Sequence, residues 1–177
     1  MKILRVHCSK NMKSYDACMT TSYSDPKVAL LKDEYLMLQK FYEDFDARIM
    51  TIKGWSATVG LAAIGGGFYQ SRFLWLFAAG AGLVFWSLDA VWKSFQYNYA
   101  PRIRLLEAAF RSQEFENIAP LQVYTAWFES FQPSGFAFFR HFRMGIVMFP
   151  HIVPVVAGIA LFVLESAGVV NVGRQSH

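Results

Sequence analysis

From Gly54 to Trp92 the chain carries only two charged side chains, Arg72 and Asp89. A spanning helix needs about 20 mostly apolar residues, and three stretches approach that length. The first is Gly54 to Tyr69, completed at its start by Ile52 and by Lys53, whose stem reaches back to the headgroups. The second is Phe73 to Trp92 and the third Met144 to Leu164. Three residues, Gln70 to Arg72, join the first two, so these spans are expected to form an antiparallel hairpin. Composition agrees: 17% of the residues are charged and the mean hydropathy is +0.25, against about 25% charged in an average soluble domain.

Lys and Arg set the expected orientation. Lys40, Arg48 and Lys53 precede the first span, Lys93, Arg102, Arg104 and Arg111 follow the second, and Arg140 and Arg143 abut the third. Only Arg72 and Arg174 stand opposite them. The N-terminus is therefore expected in the cytoplasm of a bacterial inner membrane, with the 165–177 tail outside. Trp55, Tyr69, Trp75 and Trp92 fall near span ends, as interfacial aromatics do. MKILRVHCSK is too short in apolar residues for a secretory leader, and residues 1–24 are expected to be a disordered extension. Cys8 and Cys18 have no metal-ligand spacing partner.

Asp25 followed by Pro26 is a competent helix start. From there Val28, Leu31, Tyr35, Leu38, Tyr42, Phe45, Ile49 and Ile52 recur at alternating spacings of three and four, a heptad stripe. In the same register it continues into the span as Ser56, Val59, Ala63 and Gly66, turning from large residues to small ones where water gives way to lipid. Large apolar side chains associate in water, whereas small ones let backbones approach in lipid. Leu31, Leu38, Phe45, Ile49, Ile52, Ala63 and Gly66 are accordingly expected at a contact between subunits. The pairs Ser56/Gly60, Ala62/Gly66, Ala63/Gly67 and Ala78/Gly82 serve equally well to close the hairpin within one chain.

Pro101 should break the second helix near Ala100. An amphipathic piece follows with Ile103, Leu106 and Phe110 on one face; the hairpin returns it beside the heptad helix, and its arginines are expected to face solvent or headgroups rather than nucleic acid. Leu121 to Phe142 is dense in aromatics and too polar to span, so it is expected to lie in the membrane interface, a groove for a protein partner being the alternative.

The expected fold is thus all-α and multi-pass: an extension over 1–24, an amphipathic helix over 25–53, a transmembrane hairpin over 54–92, cytoplasmic and interfacial helices over 93–143, a third span over 144–164 and a short tail.

No nucleophile, phosphate-loop or metal motif is present, so neither an enzyme nor a cofactor is expected. For a pore the polar candidates are Ser56, Thr58, Ser87, Asp89 and His151. Asp89 is expected to pair with Lys93 four residues on, or else to form a carboxylate ring at the cytoplasmic mouth. It is read as too near the end of its span for proton-coupled transport, which needs a carboxylate deep in the bilayer. His151, between Pro150 and Pro154, is expected to donate to a carbonyl freed by those prolines, or to form a polar constriction that responds to pH. It lies in the opposite, outward-running span, so the two are not expected to line one narrow ring unless that span tilts strongly.

The helix PKVALLKDEYLMLQKFYEDFDARIMTIKGWS entering a short-looped hairpin, followed by YAPRIRLLEAAFR, resembles the SLATT-like small membrane effectors of bacterial immunity operons and the transmembrane accessory of Cas13b CRISPR systems. The resemblance covers residues 26–113; the third span departs from it. It implies a homo-oligomer that permeabilises or depolarises the membrane on a signal from an operon-encoded protein partner. A non-conducting adaptor that anchors such a partner is the other reading.

Overall fold

The computed structural model describes residues 25–131 and 135–170. The expected extension over 1–24 and the last residues of the tail lie outside them. Seven helices are described: α1 Pro26–Tyr69, α2 Phe73–Tyr97, α3 Ala100–Ser112, α4 Val123–Ser130, α5 Gly135–Phe142, α6 Gly145–Met148 and α7 Ile152–Ser166. There is no strand among the described residues.

Asp25 caps α1 from extended backbone, its carboxylate accepting from the Lys27 N–H at 2.8 Å, and Pro26 fills the first helical position. No proline follows, and α1 runs 44 residues, about 66 Å at 1.5 Å per residue. After the tight turn at Gln70–Arg72, α2 runs back along it. Pro101 stands in the first turn of α3, where its missing N–H costs no bond. At the other end Gln113 closes α3 in the left-handed region, φ 59°, and sends its N–H to the Ala109 carbonyl.

Two packed regions result. In the first, α3 lies against the N-terminal half of α1: Val28, Leu31 and Leu38 bury against Ile103, Leu106, Ala109 and Phe115. Tyr42 and Tyr99 pack at its edge, where burial lifts both phenols above the ordinary range near 10.0. In the second, the C-terminal half of α1 packs with α2 and α7 through small residues. A Cβ on Gly60 would lie 2.6 Å from Pro154, one on Gly67 2.0 Å from the Trp75 indole, and one on Gly158 2.3 Å from the Trp75 carbonyl oxygen.

The outer surface of this second bundle is apolar. Leu61 is 67% exposed, Phe77 59% and Val156 57%, while Ser56, Asp89 and His151 are buried inside. Among the described residues one helical stretch, beginning at Phe73, is long and apolar enough to cross a membrane.

Two expectations are corrected. Met144–Leu164 is not one helix. Pro150 disfavours helical backbone at the residue before it, and Phe149 is extended (φ −85°, ψ 132°), so α6 stops and α7 begins anew at Ile152. Its 15 residues reach about 22 Å, less than the roughly 30 Å hydrocarbon core.

The register of the small-residue stripe also differs. From Ile49 onward the buried positions on α1 are Ile49, Ser56, Gly60, Ala63 and Gly67, not Val59 and Gly66. In a straight helix of 3.6 residues per turn a strict seven-residue repeat drifts about 20° per heptad. After about five turns the residue facing inward is Gly67, directly in line with Ile49.

Candidate functional site

The seven residues expected to join subunits are taken up largely by the chain's own helices. Leu31 and Leu38 are fully buried against α3, and Ile49 and Ala63 are 4% and 7% exposed. Phe45 sits between Trp92 and Tyr99, with ring centroids 5.6 and 5.8 Å away. A Cβ on Gly66 would meet Leu74, and Ile52 is half-buried. The expected seam is therefore an intrachain one. What α1 leaves open in this half is another face, with Leu30, Met37 and Phe41 exposed.

Polar groups that the sequence scattered are gathered in the second bundle. Asp89, on α2, is fully buried and its Oδ2 lies 3.2 Å from His151 Nε2 and 3.5 Å from Lys53 Nζ. Lys53 projects from α1, its ammonium also donating to the Ile146 carbonyl in α6. His151, immediately before α7, is fully buried as well. Ser56 stands one turn beyond Lys53 on the same face of α1 and is 1% exposed. Among the described residues Asp89 Oδ1, His151 Nδ1 and Ser56 Oγ have no hydrogen-bond partner. Buried polar atoms are overwhelmingly paired, so an orphaned oxygen on this carboxylate and an orphaned nitrogen on the imidazole that meets it single this place out.

Several expectations change here. Lys93 does not pair with Asp89: the neighbouring α1 offers Asp46, which Lys93 Nζ meets at 3.1 Å. His151 faces the Asp89 carboxylate rather than a proline-freed carbonyl, so the two pore candidates meet within one chain. The break at Pro150 explains this, because it turns His151 inward at the start of a new helix. Lys53 turns inward too, its side chain 13% exposed, since a buried carboxylate offers more than headgroup water. Asp89 and His151 point into their own bundle.

Of the other polar candidates, Thr58 and Ser87 donate to carbonyls of their own helices, Gly54 at 3.0 Å and Leu83 at 2.8 Å. Such back-bonding satisfies a hydroxyl locally and leaves it no part in the site.

A second buried pair escaped the sequence reading. Arg102, expected on a solvated face, forks onto Glu34: Nε donates to Oε1 at 2.9 Å and Nη2 to Oε2 at 3.1 Å, with Glu34 1% and Arg102 7% exposed. Arg102 Nη2 also donates to the Ala119 carbonyl at 2.7 Å, and the Leu121 N–H donates to Glu34 Oε2 at 2.8 Å. The pair thereby holds the α3–α4 connection onto α1. Glu34, beside Leu31 and Leu38 on the buried stripe, was the available signal: an acid among core positions needs a cation.

The aromatic segment docks on α2 through backbone acceptors. Trp127 Nε1 donates to the Phe95 carbonyl at 3.2 Å, and Trp86 Nε1 to the Phe142 carbonyl at 2.8 Å while its ring stacks on Phe142. Tyr124, Phe128 and Phe139 remain exposed.

Among the described residues no cluster of His, Cys, Asp and Glu could hold a metal ion. Comparison with known protein families, curated proteins and solved structures finds no match for this chain.

Proposed function

We propose that this is a multi-pass protein of the bacterial inner membrane, its N-terminus cytoplasmic, which acts as a homo-oligomer to change membrane permeability. One observation carries the reading: ionisable groups converge inside a bundle whose outer surface is apolar. A water-soluble domain buries Leu, Phe and Val; here Leu61, Phe77, Val84 and Val156 face outward, while Ser56, Gly60, Ala63, Asp89 and His151 face inward. Small residues at helix contacts are the packing mode of membrane bundles, and ionisable residues within them mark ion pathways.

The charge asymmetry of the sequence supports the orientation. A role in antiviral defence rests on the resemblance of residues 26–113 to immunity-operon effectors. Induced expression with a membrane-potential dye tests the reading: the wild-type chain depolarises cells, and Asp89→Asn, inserted to the same level, does so at least several-fold less. Inserted wild-type protein that leaves the potential intact under inducing conditions defeats it.

A second reading, a non-conducting adaptor, draws on the exposed Leu30, Met37 and Phe41, which offer a helical partner an apolar strip at spacings of seven and four. Co-purification of an operon-encoded protein lost on Met37→Glu, with the membrane potential unaffected, supports it.

A further inference from the structure

We infer that the buried trio is a proton-binding site in which Lys53 and His151 exchange as counter-ion to a single carboxylate oxygen; this rests on the permeability reading and names its ion. The geometry is specific. Lys53 Nζ and His151 Nε2 both approach Oδ2 of Asp89, at 3.5 and 3.2 Å, while Oδ1 has no partner. The imidazole turns one nitrogen to the carboxylate and leaves the other, Nδ1, without a partner. A ring with one nitrogen engaged and the other without a partner can take up a proton at the second and give it back.

A metal cation suits this place poorly. Hard cations take about six or more oxygen ligands, and the open acceptors here are Asp89 Oδ1, Ser56 Oγ and a ring nitrogen. An ammonium already stands at the carboxylate and repels a second cation. A proton needs one lone pair.

The charges balance through the exchange. With the imidazole neutral, the Lys53 ammonium and the Asp89 carboxylate cancel. An added proton forms the second N–H of the ring, and the imidazolium donates Nε2–H to Oδ2. Lys53 is then released, keeping its bond to the Ile146 carbonyl at the partly exposed edge of the site. Loss of the proton from Nδ1 reverses every step, and Lys53 returns.

The other charged and titratable groups nearby have their own partners. Lys93, one turn along α2, is held by Asp46 of α1, and His141 of α5 lies 5.2 Å from the Tyr97 ring. On the side away from Lys53 the helices close tightly: a Cβ on Gly60 would strike Pro154 at 2.6 Å, and one on Gly82 would lie 2.8 Å from Val155 and 3.1 Å from the His151 carbonyl. The site is thus open at the Lys53 edge and closed beyond His151, so passage of a proton requires these helix contacts to part. Bundle burial, rather than depth along the span, isolates Asp89 from water, which answers the sequence-based objection to a proton site.

The test uses the full chain in phosphatidylethanolamine and phosphatidylglycerol vesicles with pyranine inside, symmetric potassium, valinomycin and an imposed pH step. Wild-type protein is expected to pass protons well above empty vesicles, and His151→Gln and Asp89→Asn to lower that flux at least tenfold. In parallel vesicles without valinomycin, potassium leakage is expected to match empty vesicles. Undiminished proton flux in either inserted variant overturns the inference. Potassium leakage with protons retained also overturns it and leaves the permeability reading standing; silence to both ions removes both readings. Where a variant fails to insert, His151→Asn or Asp89→Ser takes its place, with the same loss of proton flux expected and undiminished flux overturning the inference.

Discussion

Glu34 and Arg102, 68 residues apart in sequence, meet as a two-bonded ion pair from which water is nearly excluded. Such a pair is costly to break from one side, because the remaining charge stays buried and alone. Arg102→Met is expected to destabilise the α1–α3 region by about 3–5 kcal/mol. The double variant Glu34→Gln/Arg102→Met recovers most of that loss, since the side-chain amide that replaces the carboxylate keeps an acceptor for the Leu121 N–H. Thermal unfolding in mild detergent over the full mutant cycle measures the coupling, and an additive cycle would contradict it.

Leu38 and Met37 are adjacent in sequence and opposite in role. Leu38 is fully covered by the chain itself, whereas Met37 is 38% exposed. Leu38→Glu is expected to loosen α3 from α1, visible as faster proteolysis after Arg111 at any protein concentration. Met37→Glu leaves the fold intact and reduces oligomer size in mild detergent. The reverse pattern would return the seam between copies to the Leu38 face.

Glycines in the second bundle separate into two groups. Gly158→Ala places a methyl 2.3 Å from the Trp75 carbonyl oxygen and 3.1 Å from the Ala79 nitrogen, backbone atoms that cannot turn aside. A loss of about 1–3 kcal/mol is expected. Gly80→Ala meets nothing within 4 Å and should gain up to about 1 kcal/mol from helix propensity. Detergent melting curves of the two variants, moving in opposite directions, check this.

Alkaline pH bears on the first packed region. Burial raises the Tyr42 and Tyr99 phenols above 10.0, so the folded chain holds those protons more tightly than the unfolded one. Their contribution is complete below the unfolded value and is lost as pH rises through the folded one. Tyr42→Phe/Tyr99→Phe is expected to flatten the decline in melting temperature above about pH 10, with no change at neutral pH.

Topology is checked with reporters. A fusion after His177 is expected to face the periplasm and one before Pro26 the cytoplasm. Both on the same side would defeat the proposed three passes, the third of which α6 and α7 would have to make together.

Sequence signals succeeded where the cause is local. Asp25–Pro26 starts α1, three residues make the hairpin turn, and Pro101 marks the start of α3, because capping and proline sterics act within one turn. They failed where partners arrive from a distance. Nothing in the spacing of Asp89 shows that His151 and Lys53 will reach it, since that depends on how α7 restarts after Pro150. Arg102 reads as a solvated arginine until Glu34 is known to be buried opposite it. The shift from Gly66 to Gly67 has a different origin: a heptad presumes supercoiling, and a straight helix does not keep it.

The continuity of α1 has a mechanical consequence. Pro26 and Lys53 stand on one rod, about 40 Å apart at 1.5 Å per residue, with neither proline nor glycine between them to act as a hinge. Swinging such a lever by about 5° about its membrane end carries the Pro26 end roughly 3.5 Å. A load applied where Glu34 grips Arg102 therefore acts on the same uninterrupted helix that carries Lys53.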